Sequence, residues 1–224
     1  EKADLRDADF SFAILSGAKT EGANWAGANK DGALDEVPAG RSLAELDVSF
    51  KKMLDLHESW VTSGGKEGKP AILDGFDLRD APKLDGYHLA GISFNGAILC
   101  GLSMVGANLL GARLENADLR NCKLKRADLR GANLKGARLN NADLRKALLS
   151  PLKVSSSRKF VTNLTGCQLR RADLRGADLA NANLQGSDLR HALTRKTTLD
   201  GANLDEALHD LERDEETLQR NHGS

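Results

Sequence analysis

The sequence predicts an all-β solenoid, a coil with short straight sides, into which an amphipathic helix is inserted. Three observations carry this. Leucine recurs at every fifth position through "NADLRNCKLKRADLRGANLKGARLNNADLR", from Leu119 through Leu124, Leu129, Leu134 and Leu139 to Leu144. A small residue stands two places before each: Ala117, Cys122, Ala127, Ala132, Ala137 and Ala142. Counted in steps of five from Leu84 to Leu204, 20 of 25 central positions are leucine and the frame never slips.

A period of five fits neither standard element. In an α-helix a five-residue step turns about 140° past a full circle and scatters the leucines around the helix. In a flat strand it sends successive leucines to opposite faces. The pattern works if the chain turns a corner about once every five residues and returns each leucine to the same interior. Residues two apart on extended backbone share a face, so the small residue points inward with its leucine. Gly131, Gly136, Asn116, Asn121 and Asn141 stand where the corners fall, and both residue types tolerate tight turns. A register held this long marks a repeat architecture in which each unit buries its apolar face against its neighbours.

Along the chain the elements follow in order. Residues 1–35 form a first repeat run: Ala3, Ala8, Ala13, Ala18, Ala23, Ala28 and Ala33, with Leu5, Phe10, Leu15 and Trp25 two places on, decaying to Lys30 and Asp35. Residues 36–70 lack the repeat. Ser42 and Glu45 have capping-box spacing, and the apolar residues from Leu43 to Val61 fall at helical spacing, predicting a helix over about 42–62 stopped by Gly64 and Gly65. Its apolar residues, Phe50, Met53, Leu54 and Trp60 among them, must cover something: the end of the solenoid or a partner protein. Residues 71–204 form the main coil. Leu73 and Leu78 stand one residue out of frame with Leu84, which predicts a bulge or widened corner near Ala81 and Pro82. At 150–162, "SPLKVSSSRKFVT" has weak centres, yet Leu149 and Leu164 stay three pentads apart; it is either an excursion loop or a distorted wall. Its candidate recognition residues are Lys153, Arg158, Lys159 and Phe160. Residues 205–224 read as a short acidic helix using Leu204, Leu208 and Leu211, which could cap the stack or pair two copies as a homodimer.

Composition narrows the function. No apolar run reaches bilayer length and the chain opens without a secretory core, so a soluble, cytoplasmic protein is expected. Cys122 and Cys167 take inward positions and Cys100, after Leu99, an outward one; together they make no disulfide framework. His57, His88, His191, His209 and His222 are scattered without metal-ligand spacing, and no nucleophile motif or Walker loop is present. A catalytic site, a metal and a cofactor are therefore not expected. The zero net charge hides an asymmetry, because residues 112–196 hold 19 Lys and Arg against 7 Asp and Glu, a balance of +12.

The tandem "ADLRG", "ANLKG" and "ADLAN" units resemble the pentapeptide repeat family, A(D/N)LXX, over about three quarters of the chain. The resemblance implies a right-handed quadrilateral β-helix with four pentapeptides, hence 20 residues, per coil. It also implies one activity known in the family, protection of DNA gyrase and topoisomerase from quinolones or toxins by acidic, rod-like dimers that mimic DNA.

With four sides per coil, residues 20 apart stack about 4.8 Å from one another. Lys125 and Arg126 then lie against Arg145 and Lys146. Arg170 and Arg171 lie against Arg190 and His191 on the adjoining side, and Arg175 against Arg195 on the next. Stacked like charges favour an anionic partner; against this, Asp128, Asp143, Asp173 and Asp188, one place before the leucines, can neutralise them locally. The leading functional expectation is a rigid, non-catalytic scaffold for a protein partner. Gyrase protection is the second, opposed by the basic middle of the coil. Salt-sensitive binding of nucleic acid on the basic columns ranks third, because Phe160 alone supplies an aromatic ring there.

Overall fold

The computed structural model describes residues 3–11, 13–15, 18–31, 33–35 and 39–210. The chain divides into two units, Glu1–Arg41 and Ser42–Ser224. In the first, parallel bridges join Asp4 to Asn24, Asp9 to Asn29 and Ile14 to Leu34, so that pentads stack with the 20-residue pitch. Phe10 meets Trp25 edge-on, ring centroids 5.1 Å apart. The decay at Lys30 and Asp35 does not end the stack, because Leu34 is buried in their place.

In the second unit the predicted helix over 42–62 is two pieces: a single 3-10 turn over Leu43–Glu45 and an α-helix, α1, over Phe50–Thr62. The Ser42–Glu45 capping box forms, with Ser42 N–H donating to Glu45 Oε1 at 2.8 Å. Leu46 then turns extended, at φ −71° and ψ 134°, which ends the turn. A second cap, Ser49, whose hydroxyl accepts from Lys52 N–H at 3.2 Å, restarts the helix. At its far end Gly64 and Gly65 adopt positive φ, donating to the Val61 and Trp60 carbonyls in a Schellman arrangement.

Leu54 of α1 joins the leucine core, and Phe50 and Met53 pack against it half-buried. His57 is fully buried; its Nδ1 accepts from Ala71 N–H at 3.0 Å, and its ring stacks on Trp60. Trp60 in turn lies over the wall at Gly91. The helix therefore packs on the first coil of this unit.

The coil follows from the pentads. The residue between each small residue and its leucine forms a parallel bridge to the coil before or after, and those leucines and small residues make the core. The corner asparagines and glycines, Asn116, Asn121, Gly131, Gly136 and Asn141, all have φ between 57° and 70°. The extra residue near Ala81 and Pro82 shows in the ladder: Ile72 pairs with Ser93 and Asp77 with Ile98, 21 apart, whereas His88 pairs with Asn108, 20 apart.

Residues 150–162 are an excursion, not a distorted wall. Leu152–Lys153 (β1) and Lys159–Phe160 (β2) pair antiparallel as a small hairpin. The wall closes beneath it, and the pairing interval widens from 20 to 30: Asn133 pairs with Asn163, Arg138 with Gln168, Asp143 with Asp173. Thr162 replaces the missing rung. Its buried hydroxyl donates to the Ser150 carbonyl at 3.0 Å and accepts from Gly131 N–H at 2.8 Å. Gly131 must lack a side chain, since a Cβ there would stand 2.7 Å from Leu152 Cβ and 3.2 Å from Phe160 Cβ.

The acidic helix expected from 205 does not begin there. Asp205 and Glu206 form another corner, and Leu208 bridges to Asp188 as wall, because the pentad Ala202 to Glu206 still fits the coil. Residues 211–224, including Leu211, lie outside the described residues. Cys122 and Cys167 point inward as expected, their thiols on the Leu99 and Leu134 carbonyls at 2.8 and 2.9 Å. Cys100 does not face outward: it is buried against Asp118 and Arg120, and burial pushes its thiol up to about 12.

Candidate functional site

On one side of the coil the two residues after each leucine face outward, the second at positive φ. In one column these are Lys125 and Arg126, Arg145 and Lys146, Arg175 and Gly176, then Arg195 and Lys196. The backbone welds the rungs together: Arg126 N–H donates to the Arg145 carbonyl at 2.9 Å, Lys146 N–H to Arg175 at 3.1 Å, and Gly176 N–H to Arg195 at 3.1 Å. Arg175 and Arg195 were expected two sides further round, beyond the side of Arg170 and Arg171. They continue the column of Lys125 and Arg145 because the hairpin takes ten residues out of the wall and shifts the pairing interval to 30.

The column frames an open groove of 390 Å³ lined by Lys125, Arg145, Lys146, Arg175, Gly176, Arg195 and Lys196. Local neutralisation accounts for part of its charge. Arg145 grips Asp143 through Nε and Nη2 at 2.8 and 2.6 Å, and Arg175 grips Asp173 at 2.8 and 2.7 Å. Arg145 Nε also lies 3.5 Å from Asp173. These guanidinium contacts hold both carboxyl groups below the usual aspartate range and raise both arginines. Among the described residues Lys125, Lys146, Arg195 and Lys196 make no ion pair. Six cations line the groove against two carboxylates, leaving four positive charges in excess.

Three corner cations, Arg126, Lys146 and Lys196, sit at φ 59°, 58° and 63°. Left-handed backbone costs a side-chain-bearing residue about 1–2 kcal/mol, and Gly176 shows that glycine serves at the same place. The charge is carried at a conformational cost.

Eight copies of the family described as Pentapeptide repeats match the sequence, over residues 3–33, 83–116, 112–150, 162–193 and 182–208. The chain belongs to the pentapeptide repeat family. Membership implies a right-handed β-helix, in keeping with the parallel bridges of the wall. Among curated proteins none matches. Solved structures that resemble this pentapeptide repeat protein include HetL from the cyanobacterium Nostoc sp. strain PCC 7120, involved in heterocyst differentiation regulation, at 26% identity over 92% of this chain and 87% of that one, TM-score 0.30. Rfr23 from the cyanobacterium Cyanothece 51142 is 33% identical over 49% of this chain and 65% of its own, TM-score 0.23. Full-length QnrB1, a plasmid-mediated fluoroquinolone resistance protein, is 16% identical over 69% and 98%, TM-score 0.25.

The other expected sets are placed differently in this pentapeptide repeat protein. Arg170, Arg171, Arg190 and His191 stack as expected, Arg171 N–H on the Arg190 carbonyl at 3.2 Å, but on the face that Asn140 and Asn141 occupy one coil earlier. Asp188 is shared between Arg190 at 2.7 Å and Arg170 at 3.8 Å, and His191 Nδ1 lies 2.9 Å from Asp210. In the hairpin, Lys153 faces Lys159 across the strands, and the Arg158 guanidinium lies over Phe160, 5.2 Å from the ring centroid. Phe50, Met53, Leu54 and Trp60 stand on α1 against the first coil.

Two residues escaped the sequence reading. Lys196 joins the groove and Thr162 latches the hairpin. The signal for Lys196 lay in one of the two readings of 150–162, the excursion, which makes Leu149 and Leu164 centres of neighbouring pentads. Recounting past it places Arg175 and Lys196 in the Lys125 column.

Proposed function

We propose that this protein is a non-catalytic scaffold that holds a protein partner on its wall. The basic groove supports the reading: a rigid ladder of cations keeps four positive charges beyond local neutralisation. The two carboxylates that meet the groove's arginines, Asp143 and Asp173, are held below their usual range by those guanidinium groups and serve as their counter-ions. DNA mimicry at gyrase or topoisomerase, which the family suggests, requires an acidic rod. The charge of this wall has the opposite sign.

Affinity capture from native cell extract tests the scaffold. A specific partner should be retained by the wild-type chain and released by moderate salt, and a chain that retains none would remove the reading. Addition of the protein to a gyrase supercoiling assay should neither inhibit nor protect the enzyme; protection from a quinolone would restore the mimicry reading.

A further inference from the structure

The groove has a spacing as well as a charge. Its four rungs succeed one another at the inter-strand distance, about 4.8 Å, so the ladder is about 14 Å long. An anionic partner that neutralises every rung must present negative charge at that interval.

The backbone conformations available to a partner divide sharply on this. On an extended peptide, same-face side chains recur at about 6.7 Å and fall out of step after one rung. On an α-helix, residues at i, i+3, i+7 and i+10 share a stripe and span about 15 Å, with steps of about 4.5 and 6 Å. That stripe meets the ladder rung for rung. Duplex nucleic acid fits less well: four free cations supply few phosphate contacts, and among the described residues none that lines the groove is aromatic.

We infer that the groove receives an acidic α-helix of the protein partner, lying along the coil axis with carboxylates at i, i+3, i+7 and i+10. This rests on the scaffold reading and gives its partner a chemistry. Lys125 on the first rung, Lys146 on the second, and Arg195 with Lys196 on the fourth are the arms that meet the i, i+3 and i+10 carboxylates, while the i+7 carboxylate falls on the third rung, where Arg175 is the cation. Arg145 and Arg175, held by Asp143 and Asp173, form the fixed floor between those arms. Glycine serves at the same corner at 176, so glycine can replace Lys146 and Lys196 without backbone strain.

The test uses the full chain and labelled alanine-rich helical peptides about 14 residues long, followed by fluorescence anisotropy at low salt. One peptide carries glutamates at i, i+3, i+7 and i+10, another carries the same four scattered around the helix, and a DNA duplex is the third probe. The striped peptide should bind about fivefold or more tightly than the scattered one. The double variant Lys146→Gly and Lys196→Gly should lose about fivefold in affinity for it while its melting temperature stays level or rises. Equal binding of the two peptides, undiminished binding by the glycine variant, tighter binding of the duplex, or no binding at all would each overturn the proposal. A partner captured from extract equally by wild type and glycine variant would leave the scaffold standing and remove the acidic helix from this groove.

Discussion

Lys146 donates its backbone N–H to the carbonyl of Arg175 at 3.1 Å, skipping Thr165, which uninterrupted counting would place there. One hairpin has moved the partner by two pentads, and the basic ladder is continuous because of it.

If the hairpin is a true excursion, removing Pro151–Phe160 should leave a foldable coil. The deletion joins Ser150 to Val161 and sets Leu149 and Leu164 five apart, an ordinary pentad. The variant should keep the wild-type far-UV circular dichroism and unfold cooperatively, with stability within about 1 kcal/mol, since shortening an exposed loop changes closure entropy only slowly. A molten or aggregated product would show that the hairpin is part of the wall.

Thr162 offers a sharper measurement. Thr162→Val keeps the shape but strands Gly131 N–H and the Ser150 carbonyl, and should cost about 1–3 kcal/mol in urea denaturation. Thr162→Ser restores the hydroxyl and should recover most of the loss. A valine variant as stable as wild type would mean that water takes over the rung.

The strained cations predict an unusual sign. Arg126→Gly and Lys146→Gly should each stabilise the chain by up to about 1 kcal/mol, and the reverse change, Gly176→Lys, should destabilise it similarly, read from chemical denaturation midpoints. Loss of stability in the two glycine variants would show that these side chains support the fold.

Acid should act through His57. Burial lowers its pKa from the ordinary 6.5, and its Nδ1 must stay unprotonated to accept from Ala71 N–H. The folded chain thus binds a proton less readily than the unfolded one. Stability should be full above pH 6.5 and fall as pH drops below it, by at most about 1.4 kcal/mol per pH unit. His57→Asn, which can still offer an acceptor to Ala71, should flatten the profile between pH 5 and 6.5. A wild-type profile already flat there would refute the assignment.

Much of this fold was legible because five-residue periodicity has a single geometric solution. Leu84 to Leu204 identified the inward face, Asn116 and Gly131 the corners, and the slip between Leu78 and Leu84 the widened turn. What stayed hidden depended on contacts beyond the pentad. Cys100 reads as outward, yet Asp118 and Arg120 of the next coil bury it. The break in the helix at Leu46 competes with an apolar pattern that runs straight through it. For the groove, the composition of the basic columns was visible, but their register was not, since it turns on whether 150–162 stays in the wall. The grip of Arg145 on Asp143 was visible as a general tendency of Asp-Leu-Arg units, and the freedom of Lys125 and Lys146 followed only from the coordinates.

The central claim is that Arg145 and Arg175 are neighbours on one ladder, and cysteine cross-linking tests it most directly. Stacked positions lie about 4.8 Å apart, within the range a disulfide spans, and the native thiols are buried. Under mild oxidation the pair Arg145→Cys with Arg175→Cys should close a disulfide, and the pair Arg145→Cys with Thr165→Cys should not. Cross-linking of the 145–165 pair in place of 145–175 would contradict the register and, with it, the continuous basic groove.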